Sequence, residues 1–152
     1  MALTYIEAKD EMLTMLQTAW NAQAAAIVTY IPIILYQGIE PKNVQPSDKY
    51  FGKCDIFVLS DNQKTLSTNV GQASQRRYNN KGILQLQIMC PLSDVQNSDR
   101  GAKLANIAKL AFRGKQSPCG IVFYNAMYTP SLSTEVFSKH IMTVEYNFDE
   151  IG

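Results

Sequence analysis

The residues that could carry out chemistry in this chain are few, and their spacing assembles no familiar site. His140 is the only histidine. It alternates in phase with Met142 and Val144, which predicts a structural histidine on the covered face of a strand in preference to a general base. The acidic residues are scattered, and the sequence has no Walker-type phosphate loop, no GxGxxG turn and no HExxH motif. We therefore predict no catalytic residue and no bound cofactor.

The three cysteines give no sign of a metal centre. Cys54, Cys90 and Cys119 are widely spaced, with no CxxC pair and no Cys/His pair at ligand spacing. Cys54 and Cys90 alternate in phase with apolar residues, and a buried cysteine behaves as a small hydrophobic side chain. Cys119, in a Ser-Pro-Cys-Gly turn, is the candidate for an exposed thiol. We predict free thiols in a reducing compartment and no metal ligands.

One basic and aromatic cluster lies in a long polar stretch, residues 61–81. Arg76, Arg77 and Tyr78 are followed by Lys81, with few apolar residues nearby. Such residues suit a nucleic-acid contact, a solvated hairpin tip, or a contact between subunits, where arginine and tyrosine are enriched. We interpret the stretch as a projecting arm or hairpin and favour the third interpretation, with these four residues at an interface.

Composition limits the class of protein. The 152 residues are 46% hydrophobic and 18% charged, with a formal net charge of +1. These values fit one globular domain, residues 1–152, with a lightly charged surface. Near-neutral charge does not require nucleic acid or an acidic substrate as a partner. No apolar run is long enough to span a membrane and no apolar signal core begins the chain, so we expect a protein made and kept in the cytoplasm.

Apolar periodicity predicts a first helix from about Tyr5 to about Gln23. Thr4 and Glu7 have the spacing of a capping box at its start. Apolar residues then recur every three or four positions and form one face. That predicted face comprises Ile6, Met12, Leu13, Leu16, Ala19 and Trp20.

A second helix is predicted from a cap at Ser98 or Asp99 to about Arg113. Gly114 stands where a glycine often follows a helix end. Its predicted buried residues are Leu104, Ile107, Ala108 and Ala111.

Alternating or continuous apolar runs predict strands at about residues 33–36, 50–60, 83–90, 120–126 and 139–148. The second and fourth runs are apolar on both faces, which predicts an internal strand and a buried strand. Residues 129–134 are predicted to be a polar loop. The order of elements predicts an α+β fold: a mainly antiparallel or mixed sheet, two main helices on one face, and the projecting arm.

Several short motifs resemble the tail terminator (tail completion) proteins of long-tailed bacteriophages. The family's central segment has an arginine, a glycine, an alternating strand and a proline, which match Arg77-Tyr78, Gly82-Ile83-Leu84-Gln85-Leu86-Gln87-Ile88 and Pro91. The similarity continues through Gly101, Leu104-Ala105, Ala111-Phe112, Gly114 and the final Tyr146-Asn147-Phe148-Asp149-Glu150. Residues 30–51 carry no family motif.

The resemblance implies a structural function. Terminator subunits assemble as a ring, usually a hexamer, that caps the tail tube, stops its elongation and presents a surface for head attachment. The implied partners are other copies of the chain, the tail tube protein, the head-tail connector or stopper protein and the tape-measure protein. Genomic DNA would pass through the lumen without specific binding, and no membrane is involved. The implied location is the neck of the virion tail, after assembly in the host cytoplasm.

Three other interpretations of the sequence stay open. The chain could be another neck connector or minor tail protein, which would differ in the ring it binds. It could be a small enzyme, with a pocket that gathers His140 or paired acids with shifted pKa values. It could be a nucleic-acid-binding domain that uses the basic arm, and its binding would then depend strongly on salt.

Overall fold

A computed structural model describes residues 4–36, 48–63, 77–133 and 137–151 of the chain. The elements follow one another as helices α1 (Tyr5–Gln23) and α2 (Ala25–Val28), strands β1 (Ile33–Tyr36), β2 (Phe51–Gln63) and β3 (Arg77–Pro91), helix α3 (Asn97–Phe112), and strands β4 (Val122–Ser133) and β5 (Phe137–Ile151). This is an α+β fold, as the sequence predicts. None of the helices in these ranges is long and apolar enough to cross a membrane.

The five strands form one open, mixed sheet in the order β1-β2-β3-β5-β4. β1 runs parallel to β2, and the other neighbouring pairs are antiparallel. The predicted mainly antiparallel sheet is therefore confirmed. β2 lies between β1 and β3, so the internal strand predicted from its two apolar faces is confirmed as well.

Helices cover one face of this sheet. α1 packs against α3, and α3 packs against β3, β4 and β5. Beneath them, every second residue of the two central strands is buried: Leu84, Leu86, Ile88 and Cys90 in β3, and Met142, Val144, Tyr146 and Phe148 in β5. The sequence predicts these same residues, because successive side chains of a strand point to opposite faces.

The capping box at the start of α1 forms as predicted. The Thr4 hydroxyl accepts a hydrogen bond from the Glu7 N–H at 3.2 Å, and the Glu7 carboxylate accepts one from the Thr4 N–H at 3.0 Å. Trp20 is fully buried near the other end, and its indole N–H donates to the carbonyl oxygen of Pro32 at 2.7 Å. Ile6, however, is 69% exposed. Its assignment to the apolar face was wrong, because heptad spacing drifts around a helix of 3.6 residues per turn.

The start of α3 differs from the prediction. The helix is capped at Gln96, so the proposed caps at Ser98 and Asp99 were wrong. No side chain caps the helix there, and the N–H of Gln96 itself donates to the Asp94 carboxylate in the preceding turn at 2.9 Å. Beyond the helix end, Gly114 has a φ of +67°, the left-handed conformation that its predicted role requires. The predicted buried stripe of this helix is confirmed.

One prediction about an irregular segment was wrong in the described residues. The loop expected at residues 129–134 is an extension of β4 as far as Ser133. The two ends of the predicted arm or hairpin, residues 61–63 and 77–81, belong to β2 and β3 and pair antiparallel, as a hairpin requires. Residues 64–76, the middle of the predicted arm, lie outside the described part of the chain.

A glycine on β3 lets an aromatic side chain cross the strand. Gly82 pairs with Tyr146 of β5, and a Cβ atom at Gly82 would collide with the Tyr146 ring and with the backbone oxygen of Phe57. The Tyr146 hydroxyl can therefore reach over β3 to that oxygen on β2, at 3.5 Å. This contact lies beside the irregularity between Val58 and Ser60 in the pairing of β2 with β3.

Candidate functional site

The residues predicted at an interface belong largely to one strand. Arg76 lies outside the described residues. Arg77 and Tyr78 begin β3, where their backbones pair with β5. Lys81 follows on the same strand, between β2 and β5, and is exposed. The assignment of these residues to a subunit contact stays a prediction.

His140 lies where its phase predicts, buried between the sheet and α3 and only 4% exposed. Its Nδ1 atom forms a hydrogen bond with the Tyr128 hydroxyl, and the two rings stack with centroids 5.7 Å apart. On the opposite side, a Cβ atom at Gly101 of α3 would lie 2.6 Å from Nε2 of His140. Burial lowers the pKa of His140, which favours the neutral ring.

The thiols are held in their protonated form. Burial raises the pKa of Cys90 to about 12 and that of Cys54 to about 12. Cys119 is partly exposed, and hydrogen bonding to the Glu11 carboxylate raises the pKa of its thiol. A cysteine nucleophile or metal ligand needs the thiolate, so these sites favour packing over reaction. No group of three His, Cys, Asp or Glu side chains in the described ranges could hold a metal ion.

A hydrogen-bond network around Asp94 fixes the turn between β3 and α3. One carboxylate oxygen accepts from the Tyr50 hydroxyl and from the Arg100 guanidinium, each at 2.6 Å. The other oxygen accepts the Gln96 N–H. These donors, Tyr50 first among them, lower the pKa of Asp94. At the tip of this turn Val95 is 95% exposed, so the network holds an apolar side chain in solvent.

Two open grooves lie on the helical side of the molecule. One, of about 700 Å³, runs along α1 and includes Ala111 of α3 and Pro118 of the loop that follows. The second, of about 630 Å³, lies between α2 and α3 and reaches Tyr128. Neither groove is lined by His140 or by a cysteine. The buried polar side chains therefore do not meet a ligand-sized opening there.

The other face of the sheet carries none of the described helices. Charged side chains on this outer face lie on the three inner strands: Lys53 and Asp55 of β2, Lys81 of β3, and Lys139, Glu145 and Asp149 of β5. They alternate with uncharged polar residues such as Gln85, Gln87 and Thr143. Ile83 and Met89 of β3 and Ile141 of β5 also face outward and are half-buried, so the middle of the outer face combines charged, polar and partly covered apolar side chains.

The exposed large apolar side chains of the sheet are concentrated at its two lateral edges. In the described residues β1 pairs with β2 only from Phe51 to Cys54, and further along this side β2 exposes its own apolar residues. We call this side the β1/β2 edge and the opposite side the β4 edge. Ile33, Phe57, Val58 and Leu59 are exposed at the first, and Val122, Tyr124 and Met127 at the second, each between 37% and 62%. Of the β3 and β5 side chains that the structure describes, those of residues 79–91 and 137–149, no large apolar one is exposed.

The sequence analysis missed the β4 edge. Residues 120–126 are apolar on both faces and were predicted to be a buried strand, but Val122 and Tyr124 are exposed because β4 is the last strand of the sheet. Ile121 and Phe123 face the core as expected. An uncharged edge strand and an internal strand look alike in sequence, so only the strand order could reveal this surface.

Comparisons with known proteins show the fold and no more. No protein-family model and no curated protein matches the chain. Solved structures do match, and one of them superposes with a TM-score of 0.55 over 92% of this chain and 94% of that chain. The sequence identity is 13%, and the name of that protein states no activity. The arrangement of helices and sheet is thus shared with at least one other protein of similar length.

Proposed function

We propose that the chain is a structural subunit of a bacteriophage tail that assembles with copies of itself into a ring. The ring, a hexamer if it follows the family that the sequence resembles, caps the tail tube, stops its elongation and offers a surface for head attachment. The observation that carries this proposal is the concentration of exposed apolar side chains at both lateral edges of the sheet, seven among the side chains that the structure describes. Large exposed apolar surfaces in soluble proteins mark places where a partner binds.

The distribution of these residues favours a ring over a simple dimer. A dimer with one two-fold contact covers a single surface of each subunit, whereas here two different edges are apolar. A chain of subunits that meet through two different surfaces covers both edges, and it stops growing when it closes into a ring. Such a ring ends a polymer by geometry alone: one side matches the tube, and the other side does not offer the surface on which a further tube ring assembles.

The proposed partners follow from this position. The ring would contact the tail tube protein on one side and the head-tail connector or stopper protein on the other, with the tape-measure protein at its lumen. DNA would pass through without specific binding, in keeping with a net charge of +1. The location would be the neck of the virion tail. A connector ring elsewhere in the neck would use the same edges, and the identity of the ring that it binds separates the two functions.

Electron microscopy of the purified protein mixed with purified, uncapped tail tubes tests this function. We expect rings in solution or on the tubes, a cap at one end of each tube, and no further elongation when tube protein is added. Tubes that stay bare and continue to grow would contradict the proposal. Binding to purified connector rings in place of tubes would favour the connector function.

A triple variant, Arg76→Ala with Arg77→Ala and Tyr78→Ala, tests the predicted interface on the arm. We expect a folded chain that no longer caps tubes, because these side chains would contact the tube or a neighbouring subunit. The matched control is Lys103→Ala on the helical side, whose side chain is exposed and forms an ion pair with Asp99 in the same helix. Capping that survives the triple variant unchanged would remove these residues from the interface.

A further inference from the structure

We propose that neighbouring subunits join head to tail, with the β4 edge of one chain lying antiparallel to the β1/β2 edge of the next. The inference rests on the proposed ring and specifies its lateral contact. It commits to one occupant for each edge, a second copy of this chain. The argument comes from three features of the described strands: their charge, their direction and their interruptions.

Both edge strands lack the charges that normally protect a sheet edge. β1 and β4 contain no Asp, Glu, Lys or Arg, whereas each inner strand carries at least one charged residue on the outer face. Proteins that must stay monomeric place charged side chains, lysine above all, on edge strands, because an unpaired edge is a template for another strand. β2, which forms the rest of the β1/β2 edge, does carry Asp55, but the residues that follow it, Phe57, Val58 and Leu59, are exposed and apolar. Such edges are suited to being covered.

The strand directions make the two edges compatible. β1, β2 and β5 run one way and β3 and β4 the other, as the parallel β1–β2 pair and the three antiparallel pairs require. Rotation about an axis nearly parallel to the strands preserves these directions in the next subunit. The β4 strand of one subunit then lies antiparallel to β1 and β2 of its neighbour, and antiparallel pairing is the more stable form per residue. The antiparallel sequence of strands thus continues across the junction.

Pairing between identical edges would leave half of the apolar surface exposed. A β4–β4 contact about a two-fold axis covers Tyr124 and Met127 but leaves Leu59 and Phe57 in solvent. A contact between two β1/β2 edges covers Leu59 and Phe57 but leaves Tyr124 and Met127 in solvent. Only the contact between unlike edges covers all of these side chains with one kind of interface, repeated from subunit to subunit.

Interruptions in β4 confine the contact to part of the strand. The pairing of β4 with β5 shifts register between Tyr124 and Met127, where Asn125 has a φ of +53°, and again after Pro130. Proline has no N–H to donate to a neighbouring strand. The contact is therefore centred on residues 122–129, where the exposed apolar side chains lie, and combines side-chain burial with a short backbone ladder.

Cross-linking of two single-cysteine variants tests the head-to-tail contact. Leu59→Cys and Met127→Cys place one thiol on each edge, in a Cys119→Ser background that removes the partly exposed native thiol. Cys54 and Cys90 are buried, and the pKa of each is about 12, so they do not compete for the reagent at neutral pH. With a short bis-maleimide, we expect cross-linked species in an equimolar mixture of the two variants and none in either variant alone.

Controls and alternative outcomes keep the two proposals apart. The matched control is a mixture of Leu59→Cys with Leu110→Cys, whose thiol lies on the exposed side of α3. We expect no cross-link between these two variants. Cross-linking of Met127→Cys to itself would show that identical edges are in contact and would overturn the inference. The inference would also fail if no cross-link formed at the protein concentrations used for electron microscopy. Capped tubes without the cross-link would leave the proposed function standing. Cross-linked rings that do not bind tubes would contradict the function and support the contact.

A charge introduced at the edge gives an independent measurement. We expect Met127→Lys to abolish assembly in analytical ultracentrifugation at concentrations where the parent chain is oligomeric, since it restores the usual protection of an edge strand. Gln85→Lys, on the middle of the outer face, is the matched control and should assemble normally. Equal assembly of both variants would overturn the inference.

Discussion

The two faces of the sheet differ in which side chains they bury. On the face beneath α1 and α3 the apolar side chains of the inner strands are almost completely buried, and the histidine and two of the thiols are held neutral among them. On the outer face the inner strands mix charged and polar side chains with half-buried apolar ones, and the exposed large apolar side chains described there lie at the lateral edges. The difference teaches that the fold is stabilised from one side. The edges carry apolar surface that the single chain does not use, and four predictions test this division.

The largest effect is expected on the covered face. Trp20→Ala should lower the free energy of unfolding by about 3–5 kcal/mol, because it leaves a cavity and removes the hydrogen bond to Pro32. Ile6→Ala, on the same helix but 69% exposed, should change it by less than about 0.5 kcal/mol. Urea denaturation followed by circular dichroism measures both, since the chain has no other tryptophan for fluorescence. Similar losses from the two variants would show that α1 packs through a different face.

A smaller loss is expected from overpacking the strand crossing. Gly82→Ala should destabilise the chain by about 1–3 kcal/mol, because the added methyl group meets a backbone oxygen that cannot move aside without bending β2. Gln85→Ala, on the same strand but facing outward, is the control and should lie within about 0.5 kcal/mol of the parent. The same denaturation experiment measures both changes. A neutral Gly82→Ala would mean that Tyr146 does not cross β3 at this point.

Local patterns in the sequence predicted the covered face well. Period-2 alternation placed His140 and the buried residues of β3 and β5, and the Thr4–Glu7 spacing placed the start of α1, because both depend on neighbours in the chain. The edges could not be predicted in this way. β4 has the composition of a buried strand, and its position as the last strand follows from the β4–β5 hairpin packing beside β3, a contact between distant parts of the sequence.

The candidate site shows the same limit. Residues 76–81 could be singled out because basic and aromatic side chains are adjacent in sequence. The seven exposed apolar residues of the two edges come from β1, β2 and β4 and share no sequence motif. The start of α3 was misplaced for a related reason: the turn before it is held by Asp94, which binds the Gln96 N–H and the hydroxyl of Tyr50 from a loop more than forty residues earlier.

The buried histidine makes the covered face sensitive to acid. Burial sets the pKa of His140 in the folded chain below its ordinary value of 6.5. The unfolded chain therefore binds a proton at a higher pH than the folded chain does, so stability is lost as the pH falls from about 6.5 toward the lower folded-state pKa. Cys90 from β3, Tyr128 from β4 and Gly101 from α3 face the ring, and none of them is a carboxylate that could compensate its positive charge.

The urea midpoint measured between pH 7 and pH 5 tests this dependence. We expect it to fall with pH in the parent and to fall less in His140→Gln, which keeps a hydrogen-bonding side chain but does not titrate. The variant is less stable at pH 7, so the slopes are compared and not the absolute midpoints. Equal slopes would place the acid-sensitive group elsewhere in the chain.

The smallest effect on the monomer is expected where the exposed apolar side chains lie. Leu59→Ser and Met127→Ser should each change the free energy of unfolding by less than about 0.5 kcal/mol, measured at a concentration low enough for the chain to be monomeric. The side chains are 62% and 55% exposed, so little of their apolar surface is buried within the subunit. The same substitutions should weaken self-association, because burial of a leucine or methionine between subunits would contribute about 1.5–3 kcal/mol to the contact.

A monomer destabilised by more than about 1 kcal/mol would mean that these residues belong to the fold, and the division between a stabilising face and associating edges would fail. Unchanged stability together with unchanged association would leave the fold as described and remove the edges from the interface.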